Sequence, residues 1–373
     1  MPISTKSFGA ATVFEGSFEF AVFFQIPGTC LLMKRFLLIV VGIAVSAGAL
    51  AWSMRSVRMD ELMAGVANAD YRTLPLLLVQ LFLFYWLKAA RWKWLLGPTQ
   101  RLTTGQLFGP LMIGFAANSV LPAHLGEFVR VYVVNRKYGI PSGTVLSTIV
   151  LERILDVIAI LALFGVGLFY APSMPAEYRR GALLFAAAAS GVVIAAAAYL
   201  IWTDWFIRLT EKVLRWFPFL PSRLTGKVLE LLRQGANGLH AMKSFRLVLA
   251  ALVNSMAQWT LNGLGAVMVL RAFHVEVDFS TGLILTGITA FGVMIPAAPG
   301  YFGVIQLCFE AAMKAQEIQP PPSLVFGASV YSQLSGMIPV VLAGIFFLYR
   351  DHLSLGGLQR AAEEAAATGS SAG

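Results

Sequence analysis

Charged side chains inside apolar segments are the residues of this sequence best suited to chemistry. An ionisable group within a bilayer costs at least about 2.5–3.5 kcal/mol to insert, so it pairs, faces the protein interior or lines a substrate path. One segment has a glutamate followed three residues later by an arginine. Another has a Glu-Arg pair followed by an aspartate. These residues are Glu127, Arg130, Glu152, Arg153 and Asp156.

Helical spacing predicts how these side chains pair. Glu127 and Arg130 stand three residues apart and therefore share one helix face. Arg153 can reach Asp156 at the same spacing, and Glu152 lies one turn from Asp156. Two interpretations stay open. The network either only holds the first broken segment against its neighbouring span, or it also binds a polar headgroup or relays a proton.

Proline and glycine break two apolar segments, which are residues 107–121 running into Pro122 and Gly126, and residues 279–308. Because proline removes a helix donor and clashes with the preceding turn, each segment is predicted to be a re-entrant hairpin of two half-helices. A half-helix N-terminus offers free N–H groups to an anion such as phosphate. Further candidate binding residues at the breaks are Asn118, His124, Pro299, Gly300, Gly303 and Gln306.

The composition is that of an integral membrane protein. Hydrophobic residues make up 58% and charged residues 13% of the 373, and the mean hydropathy is +0.73. A globular domain has roughly 25% charged residues, so a soluble particle is excluded. Six segments are long enough to span a bilayer, which needs about 20 apolar residues. They are residues 36–54, 73–96, 145–170, 181–202, 247–270 and 323–349.

The predicted fold is therefore an all-α polytopic membrane protein with about six full transmembrane helices and two re-entrant helical hairpins. Hairpins entering from opposite sides indicate an inverted repeat. With both termini cytoplasmic, most of the 28 Lys and Arg residues fall on the cytoplasmic side, as the positive-inside rule requires. That count places Lys88 and Arg91 on the cytoplasmic side.

The predicted organisation has three parts. Residues 1–32 lack a clear period and form an N-terminal extension, because Met33 precedes a basic pair and an apolar run typical of a start site. Residues 33–350 form the transmembrane domain, in which 203–245 is a cytoplasmic amphipathic loop. Residues 351–373 form a flexible C-terminal tail.

Cysteine and histidine are too scattered for a metal cluster or a disulfide framework. We predict no catalytic residues, no metal and no cofactor. Because membrane orientation accounts for the positive charge, no nucleic acid is expected. The predicted partners are membrane lipids with anionic headgroups, and the sequence allows a homo-oligomer.

The residues at the breaks resemble the transmembrane region of lysylphosphatidylglycerol synthases, also called the flippase-like or UPF0104 family. The match covers about residues 36–350. The family pattern is matched at Asn118, Leu121, Pro122, Gly126, Glu127 and Arg130, then at Glu152, Arg153 and Asp156, and finally at Pro299, Gly300 and Gly303. Two departures are His124, where the family often has arginine, and Gln306, where it often has glutamate.

The resemblance implies a flippase of a bacterial inner membrane, which moves a polar or isoprenoid-derived lipid between leaflets. Synthase activity requires a separate soluble aminoacyl-transfer domain, and we expect this activity to be absent because 203–245 is the longest polar region. Two alternatives stay open. One is a membrane-embedded transferase using Glu127 or Asp156 as a general base on a lipid-linked substrate. The other is an accessory subunit of an envelope-lipid complex.

Overall fold

A computed structural model describes residues 28–121, 125–171, 245–295 and 297–353, with isolated positions at 180, 184, 187, 191 and 212. Every regular element within these ranges is helical, as predicted. The helices are α1 (Gly28–Met54), α2 (Met59–Asn68), α3 (Thr73–Leu96), α4 (Thr104–Val120), α5 (Gly126–Tyr138), α6 (Ser142–Tyr170), α7 (Phe245–Ala272), α8 (Phe279–Gly292), α9 (Val304–Ala315) and α10 (Pro322–Arg350), with a 3₁₀ turn at Pro299–Tyr301.

Some predicted features lie outside the described residues. They are Pro122 and His124, nearly all of the span at 181–202 and of the loop at 203–245, and the tail from residue 354. The predicted extension overlaps the structure, because α1 begins at Gly28, before the predicted boundary at Met33. Within the described part of the chain, α3 and α10 are long and apolar enough to cross a membrane by length and composition.

Each predicted hairpin consists of two antiparallel helices. We call α4 and α5 the first hairpin, and α8, the 3₁₀ turn and α9 the second hairpin. In the first, Ile113 packs against Val129 and Val133. In the second, Thr281 Oγ1 donates to Gln316 Oε1 at 3.0 Å. The helices extend beyond the predicted segments, since the first hairpin begins at residue 104 and the second ends at residue 315.

Local sequence explains the bounds of the first hairpin. Its first helix starts with a capping box, in which the Gln106 N–H donates to Thr103 Oγ1 at 3.3 Å and the Thr103 N–H donates to Gln106 Oε1 at 2.8 Å. Its second helix ends at Gly139, whose φ of 69° is the left-handed conformation that favours glycine. The helices approach closely at Gly126, where any Cβ would collide with the Gly114 carbonyl oxygen.

The order of long helix, hairpin and long helix occurs twice in the described chain. The first unit is α3, the first hairpin and α6, and the second is α7, the second hairpin and α10. Their packing is reciprocal, because α4 packs against α10, α8 packs against α6, and α3 packs against α7. The units therefore interlock through equivalent helices, and both hairpins reach the same interior.

The α1 helix supports the break of the second hairpin. The Ala298 N–H donates to Ser46 Oγ at 2.9 Å. Gly303 lies against the backbone of Ser46 and Leu50, and it has a φ of 87°. Glycine is thus required at this position both by the left-handed backbone and by the close approach of α1.

Candidate functional site

Asp156 of α6 accepts hydrogen bonds from two buried cations and from a half-buried tryptophan. Its partners are Lys88 Nζ at 3.0 Å and Arg91 NH1 at 2.6 Å, both from α3, and Trp259 Nε1 at 3.1 Å from α7. Arg91 also donates to the Ser255 hydroxyl. The predicted pairing of Asp156 with Arg153 is therefore wrong, because α3 brings two cations to this carboxylate.

Lys88 and Arg91 lie in the protein interior. The positive-inside count places both on the cytoplasmic side, and the structure adds that their exposed fractions are only 3% and 0%. They lie three residues apart and share the face of α3 that packs against the protein interior. The sequence analysis does not include these two residues in the charged network, although their signal is a pair of cations one helical turn apart within an otherwise apolar segment.

A second buried ion pair joins the first hairpin to α6. Arg130 NH1 donates to Glu152 Oε2 at 3.0 Å, and each side chain is 2% exposed. The Arg130 guanidinium lies over the Trp92 ring, 4.0 Å from its centroid. The partner of Arg130 is thus Glu152. Glu127 lies on the same helix face as Arg130, as predicted, but the two residues do not form an ion pair.

Glu127 forms the third ion pair, and this pair is partly hydrated. Its Oε1 lies 3.4 Å from Arg153 Nε, and the two side chains are 25% and 42% exposed. Arg153 also lines a cavity. Together the three carboxylates hold the first hairpin, α3 and α6 to one another, and both interpretations of the network, structural and functional, stay open.

The charges of this network do not cancel. Within the described residues, the cations Lys88, Arg91, Arg130 and Arg153 face the carboxylates Glu127, Glu152 and Asp156, which leaves one positive charge in excess. Several buried guanidinium N–H groups lack a hydrogen-bond partner among these residues, namely Nε and NH2 of Arg91 and of Arg130 and Nε of Arg153, and one acceptor, Glu152 Oε1, lacks a partner too. An excess cation with spare donors favours an anion nearby.

A central cavity of about 420 Å³ lies between the two hairpins. This size falls within the usual range for small-molecule sites. Its walls come from α3, α4, α6, α7, α8, α9, α10 and the 3₁₀ turn, and they mix apolar and aromatic side chains with polar ones. The polar lining residues are Gln80, Asn118, Ser119, Arg153, Asn262, Thr286, Thr289, Tyr301, Ser332, Gln333 and Ser335.

An amide pair closes the second hairpin onto α10. Gln306 Nε2 donates to Gln333 Oε1 at 2.9 Å, and Gln306 Oε1 accepts from the Gly303 N–H at 2.6 Å. Gln333 in turn donates to the Gly300 carbonyl oxygen. Gln306 also lines a second cavity of about 250 Å³, while Gln333 lines the central cavity. The amide pair therefore separates two cavities.

The amide pair occupies the place that an ion pair holds in the first unit. Arg153 and Gln333 each lie eleven residues after the first residue of their long helix, α6 and α10. Each contacts the second helix of its own unit's hairpin. Gln333 was missed by the sequence analysis. The signal was the Pro-x-x-x-Gly spacing shared by both breaks, at residues 122–126 and 299–303.

The remaining candidate residues shape the backbone at the breaks. Asn118 Oδ1 accepts from the Gly126 N–H at 2.7 Å and so fixes the turn between α4 and α5. Pro299 begins the 3₁₀ turn, and Gly300 follows with a φ of 78°. Asn118 and Gly300 also line the central cavity. Both breaks thus contribute directly to its wall.

These features define a helical membrane protein with a cationic site between two hairpins. A family model described as the lysylphosphatidylglycerol synthase TM region matches residues 39–344, and the chain belongs to this family. The family confirms the resemblance found in the sequence, and it makes the chain a membrane-embedded protein.

Two known proteins are similar to this chain. Glycosyltransferase AglD of Haloferax volcanii is 25% identical over 338 residues, which cover 83% of this chain and 54% of AglD. The chain thus spans about half the length of that relative. The UPF0104 membrane protein MJ1078 of Methanocaldococcus jannaschii is 23% identical over 235 residues, 62% of this chain and 92% of MJ1078. No solved structure matches the chain.

Proposed function

We propose that this protein moves a lipid with an anionic headgroup between the two leaflets of its membrane, and that the headgroup binds in the central cavity against Arg153. The observation that carries the proposal is the partly hydrated Arg153 on the cavity wall, next to a network with one excess positive charge. A phosphate there would neutralise the excess and accept charge-assisted hydrogen bonds.

The repeated packing supports the transport part of the proposal. Two units that interlock through equivalent helices fit an inverted repeat around a central site, an architecture found among transporters. The second cavity would receive the headgroup when the Gln306–Gln333 pair opens. We place the protein in a bacterial inner membrane with six full spans, two re-entrant hairpins and both termini cytoplasmic, and the lipid is polar or isoprenoid-derived.

A second candidate function is a transferase acting on a lipid-linked substrate. The similarity to a glycosyltransferase, AglD, favours it, although this chain spans only about half of that protein. Glu127 is the carboxylate suited to act as a general base, because it is partly exposed. Asp156 is buried and already accepts three hydrogen bonds, so it is poorly suited to take a proton from a substrate.

Reconstitution of the full chain into liposomes tests both functions. Native lipid extract is added, and each leaflet is analysed for lipid position and lipid structure. We expect anionic lipid to redistribute unchanged, and Arg153→Gln to slow this at least about tenfold, since a lost charge-assisted bond costs about 1.5–3 kcal/mol. Arg58→Gln is the matched control, because Arg58 forms an exposed ion pair with Asp60, and neither residue lines the central cavity.

The outcomes separate the candidates. A chemically altered lipid would favour the transferase over the flippase. Lipid that neither moves nor changes would contradict both proposals. If Arg153→Gln and Arg58→Gln moved lipid at equal rates, the proposed binding of the headgroup to Arg153 would be contradicted, even if transport itself occurred.

A further inference from the structure

Apart from Gln333, whose amide is already used in the pair with Gln306, the uncharged part of the central cavity carries three carboxamides on three different helices. They are Gln80 on α3, Asn118 on α4 and Asn262 on α7. Asn118 and Asn262 use their oxygens to accept from the Gly126 N–H and the Thr286 hydroxyl. Their NH₂ groups, and the whole Gln80 amide, make no hydrogen bond with the described residues. Three sets of free donors thus face one space.

Hydroxyl oxygens supply acceptors in the same cavity. Ser119 donates to the Phe115 carbonyl oxygen at 3.1 Å, Thr289 to Leu285 at 2.7 Å, and Ser335 to Ser332 at 3.1 Å. Since each hydroxyl hydrogen is used within its own helix, the oxygen lone pairs are left as acceptors. Free amide donors and hydroxyl acceptors around one cavity match groups that both donate and accept, which are the hydroxyls of a sugar or polyol.

The same walls are unsuited to a headgroup with an amine. Arg153 is the only charged residue among the described lining residues of this cavity. The carboxylate nearest to it, Glu127, is already paired with Arg153 at 3.4 Å. An ammonium group would therefore lie beside a guanidinium without a carboxylate of its own, and two like charges close together repel each other.

We infer that the headgroup is hydroxyl-rich as well as anionic, a phosphate or phosphodiester that carries a sugar or polyol. The inference rests on the proposed function, because it assumes that a lipid headgroup occupies this cavity. The phosphate lies against Arg153, and the hydroxyls lie against Gln80, Asn118 and Asn262.

Binding to the purified full chain tests this inference. The probes are a short-chain isoprenyl phosphate, the same phosphate carrying a hexose, phosphatidylglycerol and its lysyl ester. We expect the hexose to tighten binding about thirtyfold, since two net hydrogen bonds of about 1 kcal/mol each would be added. Phosphatidylglycerol carries a polyol instead of a sugar, and it should also bind more tightly than the bare phosphate. The lysyl ester should bind most weakly.

Gln80→Met separates the role of the amide from general folding. Methionine keeps the length of the side chain, and the lost amide has no protein partner in the described structure. In this variant, most of the increase in affinity that the hexose causes should be lost, and the affinity for the bare phosphate should stay unchanged. Gln100→Met is the control, because Gln100 is exposed and does not line the cavity. Arg153→Gln should weaken all anionic probes alike.

Each result decides one proposal. Equal affinity for the bare and hexose-bearing phosphates, or tightest binding of the lysyl ester, would overturn the inference. The inference would also be overturned if the hexose increased the binding affinity of the Gln80→Met variant as much as it does that of the wild type. Selective binding together with no redistribution in liposomes would leave the inference standing and contradict the transport proposal.

Discussion

The two hairpins reach the same interior with different chemistry. In the first unit, ion pairs join the hairpin to the following long helix, through Arg130 with Glu152 and Glu127 with Arg153. In the second unit, the corresponding contact is the neutral pair of Gln306 and Gln333. The scaffold is repeated, since each contact joins the second hairpin helix to the closing long helix. The charge is not repeated.

This difference suggests a division of labour between the units. A buried ion pair is costly to break and leaves a charge behind, so it suits a part that stays assembled. A neutral amide pair exchanges its hydrogen bonds with water or a ligand at much lower cost. We therefore assign anion binding and rigidity to the first unit, and opening between the two cavities to the second.

The largest expected effect comes from Asp156→Asn. The change keeps the volume but leaves Lys88 and Arg91 buried without a carboxylate, which costs about 3–5 kcal/mol. We expect little folded protein by size-exclusion chromatography and a strongly lowered Tm in detergent. Glu310→Gln is the control, because its pair with Lys314 is largely exposed and should be worth less than about 1 kcal/mol. Similar melting of both variants would contradict the view that the charged unit is rigid.

Gln333→Leu should have an intermediate effect. It leaves the buried Gln306 Nε2 and the Gly300 carbonyl oxygen without their partner, at a cost of about 1–3 kcal/mol. The protein should still fold, with a Tm between those of the wild type and Asp156→Asn. Ser335→Ala on the same helix loses only a bond to its own backbone, to Ser332, and should melt close to the wild type. If the Tm of Gln333→Leu fell as far as that of Asp156→Asn, the proposed difference in rigidity between the two units would be contradicted.

Part of this architecture follows from the sequence alone. The bounds of α3 match the predicted span at residues 73–96, because a long apolar segment with flanking polar residues has few alternatives. The breaks at both hairpins follow from proline and glycine, which disfavour a continuous helix. The charged residues of α5 and α6 were recognised because ionisable groups in apolar segments are expensive.

The pairing of those residues did not follow from the sequence. Spacing along one helix favours partners on that helix, as it did for Arg153 and Asp156. The actual partner of Arg153 comes from α5, and those of Asp156 come from α3 and α7, which only the packing brings close. Gln333 gave no signal by itself, since a neutral amide in an apolar helix stands out in neither charge nor hydropathy.

Glu127→Gln should affect transport while leaving folding nearly unchanged. Its partner Arg153 is 42% exposed, so water can reach much of the freed guanidinium apart from its buried Nε, and the stability loss should stay below about 1 kcal/mol. We expect the Tm to be retained and leaflet-resolved lipid movement to change. Glu152→Gln is the matched test within the same unit. Glu152→Gln leaves the buried Arg130 without a carboxylate, so its Tm should be far lower. A folded Glu127→Gln protein with unchanged lipid movement would exclude Glu127 from the functional site.

The smallest effect is expected for a chain that begins at Met33. Three described contacts of α1 with the break of the second hairpin come from residues after this point: Gly42 packs against Ala297, Ser46 accepts from the Ala298 N–H, and Leu50 lies against Gly303. Tm and lipid movement should therefore equal those of the full chain. Gly42→Val shows that the assay can detect damage at this contact, because a Cβ at residue 42 would already lie 3.1 Å from the Ala297 carbonyl carbon and oxygen. If the shortened chain loses Tm and lipid movement as Gly42→Val does, the residues before Met33 also support the second hairpin. The neutral unit would then depend on residues beyond these three contacts of α1.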